Sequence, residues 1–467
     1  MDVQKILIGE HIELPQMLSA RENRVQKQNQ LLQEYQMTLI SFTLNIAGPI
    51  KVFPLAVKTY EEGLELIKYQ CKAMGIPICH SEENHFTTGY EGYLCVQSDA
   101  FKVKKALTEL EENSSLGRLF DIDVLDKDGQ KISRTALSLP QRRCLVCGGP
   151  TFVCSRSRTH SLNEILQHTI SIMQDYFSEK YASHVASTAA RALLYEVLAT
   201  PKPGLVDKSN TGAHKDMDIV TFETSSLALL PYFKAFVNFG ISHCKCDPQT
   251  LLPELRSIGI QAEIAMLRAT RGINTHKGII FSLGILETAL GICYGNSVLI
   301  NCNILQDLCK KIAAPMADDF SKLTAKSATT NGEKLFVRYG ICGVRGEAIG
   351  GFSTLFDVAF PKMEQLLEGG YNLNDAGILT LLTILANSED TNVISRSSYK
   401  KMTEIQHALK EELENGLEHR DYLDFAQKLD QEFIAQNISP GGSADILALS
   451  YFVHFLKQDS NLYSIKS

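Results

Sequence analysis

The chain has 467 residues, 44% of them apolar and 21% charged, with 31 glycines and 14 prolines. That balance excludes disordered, collagen-like and low-complexity classes and leaves room for two or three domains with real cores. A net charge of −7 argues against a globally basic nucleic-acid binder, and twelve cysteines scattered over this length do not resemble a secreted disulfide framework.

The first 36 residues are charged and glutamine-rich, without an apolar leader, and the longest apolar run, Gly278 to Gly295, is interrupted by Glu287. A cytoplasmic protein with reduced thiols and no membrane partner is expected. In chain order, Leu14–Gln36 has helical spacing and Thr38–Ile46 alternates as a strand. The segment after Gly48-Pro49, KVFPLA, reads as a second short strand. Glu61–Met74 is predicted helical, Thr87–Val96 a strand, Asp99–Asn113 a helix, and Arg118–Leu125 a strand turned by Asp128-Gly129 into Lys131–Leu137. Ser161 and Glu164 form a capping box for a helix running towards Tyr181. Beyond residue 182 strand signals fade, and helices are predicted at 183–199, 218–239, 254–270, 276–294, 303–314, 374–387, 399–415, 419–436 and 443–457.

On the strand GRLFDIDVLD, Asp121 and Asp123 share a face, with Phe120, Ile122 and Val124 on the other. Two such carboxylates repel unless a cation sits between them, and oxygen-only ligands suit Mg²⁺. The alternative is a solvated strand face. Next, between Gly129 and Asn163, come six Lys or Arg and no acid, a segment able to neutralise phosphates. It also carries Cys144, Cys147, Cys154 and His160, types that could close a structural Zn²⁺ site, although the spacing is not that of a standard finger and buried cysteines are the bland reading.

The Asp-x-Asp strand resembles the metal-binding strand of nucleotidyltransferases. More specifically, GRLFDIDVLD, ISR, PQRRCLVC and CSRSRTH resemble the holo-acyl-carrier-protein synthase of citrate lyase. That family transfers a phosphoribosyl-dephospho-CoA group to a serine of the lyase's acyl carrier subunit and releases pyrophosphate. The resemblance implies Mg²⁺ on Asp121 and Asp123, phosphate contacts from Arg118, Arg142, Arg143, Arg156 and Arg158, and a base or orienting role for His160.

In the second half, PKPGLVDKSNTGAHKDMD is a long irregular stretch between two helices, and loops of that length are usually functional or disordered. Lys202, Lys208 and Lys215 suit an anionic ligand. Asp216 and Asp218 suit a hard cation, though Asp218 is also placed to cap the next helix. RATRGINTHKG puts Thr275, Lys277 and Gly278 at a helix start, which favours phosphate. YGICGVRGEA and SPGGSAD are two further glycine-rich turns, the latter with Ser443 as cap; each alone reads as helix connection.

Together, in this order, these four motifs resemble the triphosphoribosyl-dephospho-CoA synthase of citrate lyase. The resemblance implies ATP and 3′-dephospho-CoA as substrates and adenine as leaving group. Its implied roles are carboxylates at Asp207, Asp216 and Glu347, proton transfer at His214 or His276, metal at Asp216 and Asp218, and triphosphate contacts from Lys202, Lys277 and Arg345. Asn210, Asn274, Gly442 and Ser443 complete the expected substrate contacts. The expected architecture is an α/β (α+β, nucleotidyltransferase-like) domain over 1–182 followed by a mostly α-helical domain over 183–467. The partners are then ATP, 3′-dephospho-CoA and the apo carrier subunit, with no nucleic acid. A nucleotidyltransferase for another small molecule, fused to a nucleoside-processing helical domain, is the competing reading.

Overall fold

Four strands form one antiparallel sheet, in the order β2–β3–β1–β4, in a computed structural model that describes residues 3–459. They are β1 (Thr38–Leu44), β2 (Ile78–Phe86), β3 (Gly89–Val96) and β4 (Phe120–Leu125). The chain divides into two units, Met1–Ser178 and Glu179–Ser467, and the sheet belongs to the first.

Strand alternation gives the sheet two faces. Ile40, Phe42, Leu94, Val96, Ile122 and Val124 pack in one cluster with helices α2 (Pro54–Ala73) and α3 (Ala100–Asn113). Leu39, Tyr93, Cys95 and Leu125 face α1 (Leu14–Tyr35) through Leu31 and Leu32. Phe42 stacks on Tyr60 at 5.2 Å and meets Phe120 edge-on at 5.4 Å. Burying each such ring contributes roughly 1.5–3 kcal/mol. Gly63 of α2 is required there, because a Cβ would run into the Phe42 ring.

Two local expectations are corrected, and one strand was not anticipated. KVFPLA is no strand: Pro54 opens α2, where a missing N–H costs nothing and the fixed φ suits a helix start. Ile78–Phe86 is a strand without apolar alternation, because it is a sheet edge paired only to β3 and carries Glu82, Glu83 and His85. Lys131–Leu137 is no strand; a single bridge, Leu125 to Lys131, precedes a short 3₁₀ turn at Thr135–Leu137. Arg134 turns instead to Glu111 at 2.9 Å.

After the short α4 (Thr151–Ser157), helix α5 runs unbroken from Leu162 to Leu198, where separate helices were expected on either side of residue 182. The unit boundary falls within it. The second unit is helical throughout the described residues. Its core centres on α6 (Ile219–Ser242) and α8 (Lys277–Gly295), flanked by α7 (Leu252–Ala269), α9 (Cys302–Ala313) and α10 (Met316–Ser321). Gly240 and Gly291 let the backbones of α6 and α8 touch, since a Cβ on either would strike the other helix. Helix α8 is long and apolar enough to cross a membrane, but 78% of that stretch is buried inside the protein. Next come α11 (Asn331–Tyr339), α12 (Gly343–Ile349), a π-helical turn at Thr354–Ala359 and α13 (Phe360–Glu368). The last helices are α14 (Leu373–Asn387), α15 (Thr391–Arg396), α16 (Tyr399–Glu414), α17 (Tyr422–Ala435) and α18 (Gly441–Gln458).

Candidate active sites

In the first unit, Asp121 and Asp123 stand opposite Thr43 and Ser41 across the β1–β4 pairing. Both aspartates line a cleft of about 350 Å³ that also takes in Tyr60, Tyr90 and three cations, Arg21, Arg24 and Lys51. Arg24 is oriented by buried Glu91 at 2.8 Å. Burial and the neighbouring Arg21 push the Lys51 ammonium below its ordinary range. Asp123 pairs with Lys131 at 2.6 Å, a mostly exposed lysine that can swing away. Paired acids beside three cations have the ligand types and charges that a metal-chelated polyphosphate requires. The three cations were missed in the sequence. Only the i, i+3 spacing of Arg21 and Arg24 on one face of α1 hinted at them.

None of the five expected arginines lines this cleft. Arg118 donates to the Arg143 carbonyl, and Arg142 donates to the Phe120 carbonyl at 2.6 Å while forming an ion pair with buried Glu111. Arg143, Arg156 and Arg158 are exposed.

Cys144, Cys147, Cys154 and His160 converge, with all four ligand atoms within 4.8 Å of one another. Cys147 and Cys154 sulfurs lie 3.5 Å apart; tetrahedral Zn–S bonds of ~2.3 Å place sulfurs ~3.8 Å apart. Backbone bonds Cys144 N–H to Gly149 O at 2.6 Å and Gly148 N–H to Cys144 O at 3.1 Å close the loop, with Gly148 at φ +70°. N–H groups of Cys147 and Val146 bring the Cys144 thiol down to about 6. His160 Nε2 is buried with no hydrogen-bond partner among the described residues. Helix α4, between these ligands, has no buried residue, so no apolar core holds this helix itself. The cluster has the donor set for a metal ion.

In the second unit a cavity of about 1050 Å³ collects Lys202, His214, Asn274, His276, Lys277, Arg345, Glu347 and Gly442. These come from four motifs over 200 residues apart, joined because the starts of α8, α12, α15 and α18 converge. His276 is buried; its Nδ1 meets Ser225 Oγ at 2.7 Å and its Nε2 has no partner among the described residues. Burial, reinforced by Lys202, drives the imidazole down to about 3, so it is neutral. His214 Nε2 meets Ser439 Oγ at 2.8 Å, and burial with Arg396 nearby lowers its basicity. Lys202 is buried against Glu196, whose carboxyl burial pushes up. Lys277 reaches Glu263 at 2.6 Å, and Glu347 accepts from Thr354 Oγ1 at 2.6 Å. Arg345 approaches Glu333 at 3.9 Å, and the N–H groups of Thr330 and Thr329 bring that carboxyl down to about 2.

Asp207, Asn210, Asp216, Asp218 and Ser443 do not line this cavity. Asp207 accepts from the N–H groups of Lys202, Ser209 and Asn210 and so shapes the loop. Asn210 donates to Asp430 at 2.9 Å. Asp218 caps α6 through Thr221 N at 2.9 Å, and Asp216 is exposed. Ser443 is held by Asp390, which is buried and capped α15 as well. Glu196, Asp390 and Asp445 line the cavity without having been singled out in the sequence. SPGGSAD contains Asp445, but as one acid in a turn it gave no reason to prefer it.

Two family models match in tandem. Residues 12–176 match CitX, apo-citrate lyase phosphoribosyl-dephospho-CoA transferase, and residues 182–464 match CitG, ATP:dephospho-CoA triphosphoribosyl transferase. The chain belongs to the fused CitX–CitG transferase family. A CitXG protein of Haemophilus influenzae is 35% identical over 455 residues, spanning 95% of this chain and 96% of its own. The CitXG protein of Leuconostoc mesenteroides subsp. cremoris is also 35% identical, with 95% and 97% covered. The 2-(5''-triphosphoribosyl)-3'-dephosphocoenzyme-A synthase of Pectobacterium atrosepticum is 38% identical over 287 residues, 61% of this chain and 93% of its own. The CitX match covers the Asp121–Asp123 cleft and the cysteine cluster, and the CitG match covers the larger cavity.

Proposed function

We propose that this bifunctional transferase makes and attaches the citrate lyase prosthetic group. ATP and 3′-dephospho-CoA give 2′-(5″-triphosphoribosyl)-3′-dephospho-CoA with release of adenine. The phosphoribosyl-dephospho-CoA group then passes to a serine of the acyl carrier subunit with release of pyrophosphate. The tandem CitX and CitG matches, end to end along one chain, carry this reading. Residues 1–182 act as the transferase domain, with a nucleotidyltransferase-like fold, and residues 183–467 as the synthase. Both work in the cytoplasm.

In the first unit Asp121 and Asp123 would hold Mg²⁺, which stabilises charge on the departing pyrophosphate. Arg21, Arg24 and Lys51 bind the remaining phosphate oxygens. Zn²⁺ at Cys144, Cys147, Cys154 and His160 has a structural task, pinning the segment that carries Arg142 and Arg143. In the second unit, His276 Nε2 accepts the proton of the attacking 2′-hydroxyl, since the imidazole is neutral and this nitrogen is free to receive it. Lys277 and Arg345 grip the triphosphate, and the apolar walls of the cavity, Phe222 and Phe281 among them, exclude water that would hydrolyse the ribosyl centre.

Incubating the protein with ATP, Mg²⁺ and 3′-dephospho-CoA, then assaying adenine chromatographically, tests the first step. Adenine release that requires dephospho-CoA supports it. Its absence from folded protein sinks it. Adding apo carrier to the same mixture tests the second step by the mass gained on the carrier.

A further inference from the structure

We propose that the side chain of Asp445 is the proton donor to the departing adenine. The assignment rests on the triphosphoribosyl transfer proposed above and adds a residue to it.

Seven carboxylates line the cavity: Glu196, Glu263, Glu333, Glu347, Glu389, Asp390 and Asp445. Six are engaged. Glu196 holds Lys202, Glu263 holds Lys277, and Glu333 caps α11. Glu347 accepts from Thr354, Glu389 accepts from Tyr399 at 3.1 Å, and Asp390 accepts from Ser443. Asp445 alone has no hydrogen bond or ion pair among the described residues. Its backbone is nonetheless held in place, because Ser443, two residues earlier in α18, is anchored by Asp390 through both its N–H and its hydroxyl.

The Asp445 carboxyl lies against Gly278 in the first turn of α8, where a Cβ would collide with Oδ2. His276, with its unpartnered Nε2, is two residues away in the same turn. One free carboxyl and one free imidazole nitrogen are thus brought to the same end of the cavity. The charged and titratable groups around Asp445 are Glu196 on α5 and Asp390 before α15, with His276 and Lys277 beside Gly278 at the start of α8; Lys202 pairs with that Glu196. Burial, with the Glu196 and Asp390 carboxyls, holds Asp445 well above the usual carboxylate range, which favours its protonated, donating form. A transfer through an oxocarbenium-like state needs a proton donor for the leaving base and an acceptor for the attacking hydroxyl, and these two free groups supply one of each.

In the step, the C1′–N9 bond of ATP breaks and its electron pair goes to adenine, which takes the Asp445 proton on a ring nitrogen. The 2′-oxygen of dephospho-CoA bonds to C1′ and its proton goes to His276 Nε2. Adenine leaves neutral, and the imidazolium proton returns to the carboxylate before the next turnover.

The test compares Asp445→Asn with the wild-type chain on ATP and on 8-azaadenosine triphosphate, whose base departs more readily without protonation. The expected result is a fall in kcat of about 100-fold or more on ATP, and a much smaller fall on the aza analogue. For Asp445→Ala, added formate should restore part of the rate on ATP, which a purely structural defect would not allow. Equal losses on both nucleotides, or full activity on ATP, overturn the assignment alone. Wild-type protein that releases no adenine overturns the transfer reading and the assignment with it.

Discussion

Asp390 accepts both the backbone N–H and the hydroxyl of Ser443, at 2.7 and 2.9 Å, across 53 residues of sequence. The same carboxyl accepts from Asn392 N at 2.8 Å and Val393 N at 3.2 Å, so one buried acid closes the starts of α15 and α18. Ser443→Ala should cost about 1 kcal/mol in denaturant unfolding, the worth of one hydrogen bond. Asp390→Ala should cost ~2–4 kcal/mol, because it strips two helix starts of their acceptor, and should depress adenine release more than carrier loading. Equal costs for the two variants would refute the shared anchor.

Replacing Asp121 or Asp123 by Ala should abolish transfer to the carrier and leave adenine release intact, because both side chains line the first unit's cleft. Assaying both activities on one preparation decides it. Parallel loss of both would remove the division into two sites. Arg21→Ala and Arg24→Ala should raise KM for the triphosphoribosyl intermediate, and Arg156→Ala should not.

Protein purified without chelator should contain close to one zinc per chain by elemental analysis. Cys147→Ser should lower that content and expose the segment around residues 138–160 to protease, since α4 has no buried side chain to hold it. Carrier loading should fall while adenine release persists. A metal-free preparation with full loading activity would show the cysteines to be merely close together.

Glu287 lies in the middle of α8, fully buried, with neither carboxyl oxygen hydrogen-bonded among the described residues. Burial raises its proton affinity well above the ordinary value. The folded state therefore keeps a proton that the unfolded chain sheds above about pH 4.3. The folded state binds more protons than the unfolded one in that range, so this residue's contribution to stability declines as pH rises from there towards the folded-state pKa. Glu287→Gln should flatten the decline, and Glu287→Met should raise Tm at pH 7 more than at pH 5, read by calorimetry. A Tm gain independent of pH would contradict the protonated state.

Local pattern was enough for β4. Its alternation put Asp121 and Asp123 on one face and the apolar residues in the core, and burial follows that alternation. It was enough for Asp218 as the cap of α6. It misled at KVFPLA, where β-branched neighbours outweighed the helix-start signal of Pro54, and it was silent at β2, where an edge strand has no buried face to leave a period in the sequence. Residue 182 looked like a break because composition changes there, yet a helix needs only continuous backbone bonding, and α5 has it.

From the sequence alone came the two families, the consecutive chemistry they imply, the acidic pair and the four metal-ligand types, because each is written in residues a few positions apart. Tertiary structure decided which residues are free to act. Arg142, Asp207, Asn210 and Ser443 looked like ligand contacts and are engaged in holding the protein itself. Lys51 and Asp445 carried no local signal and line the cavities. The reason is physical: a polar side chain shows its type in the sequence, but whether its hydrogen bonds are already satisfied depends on neighbours that only folding supplies.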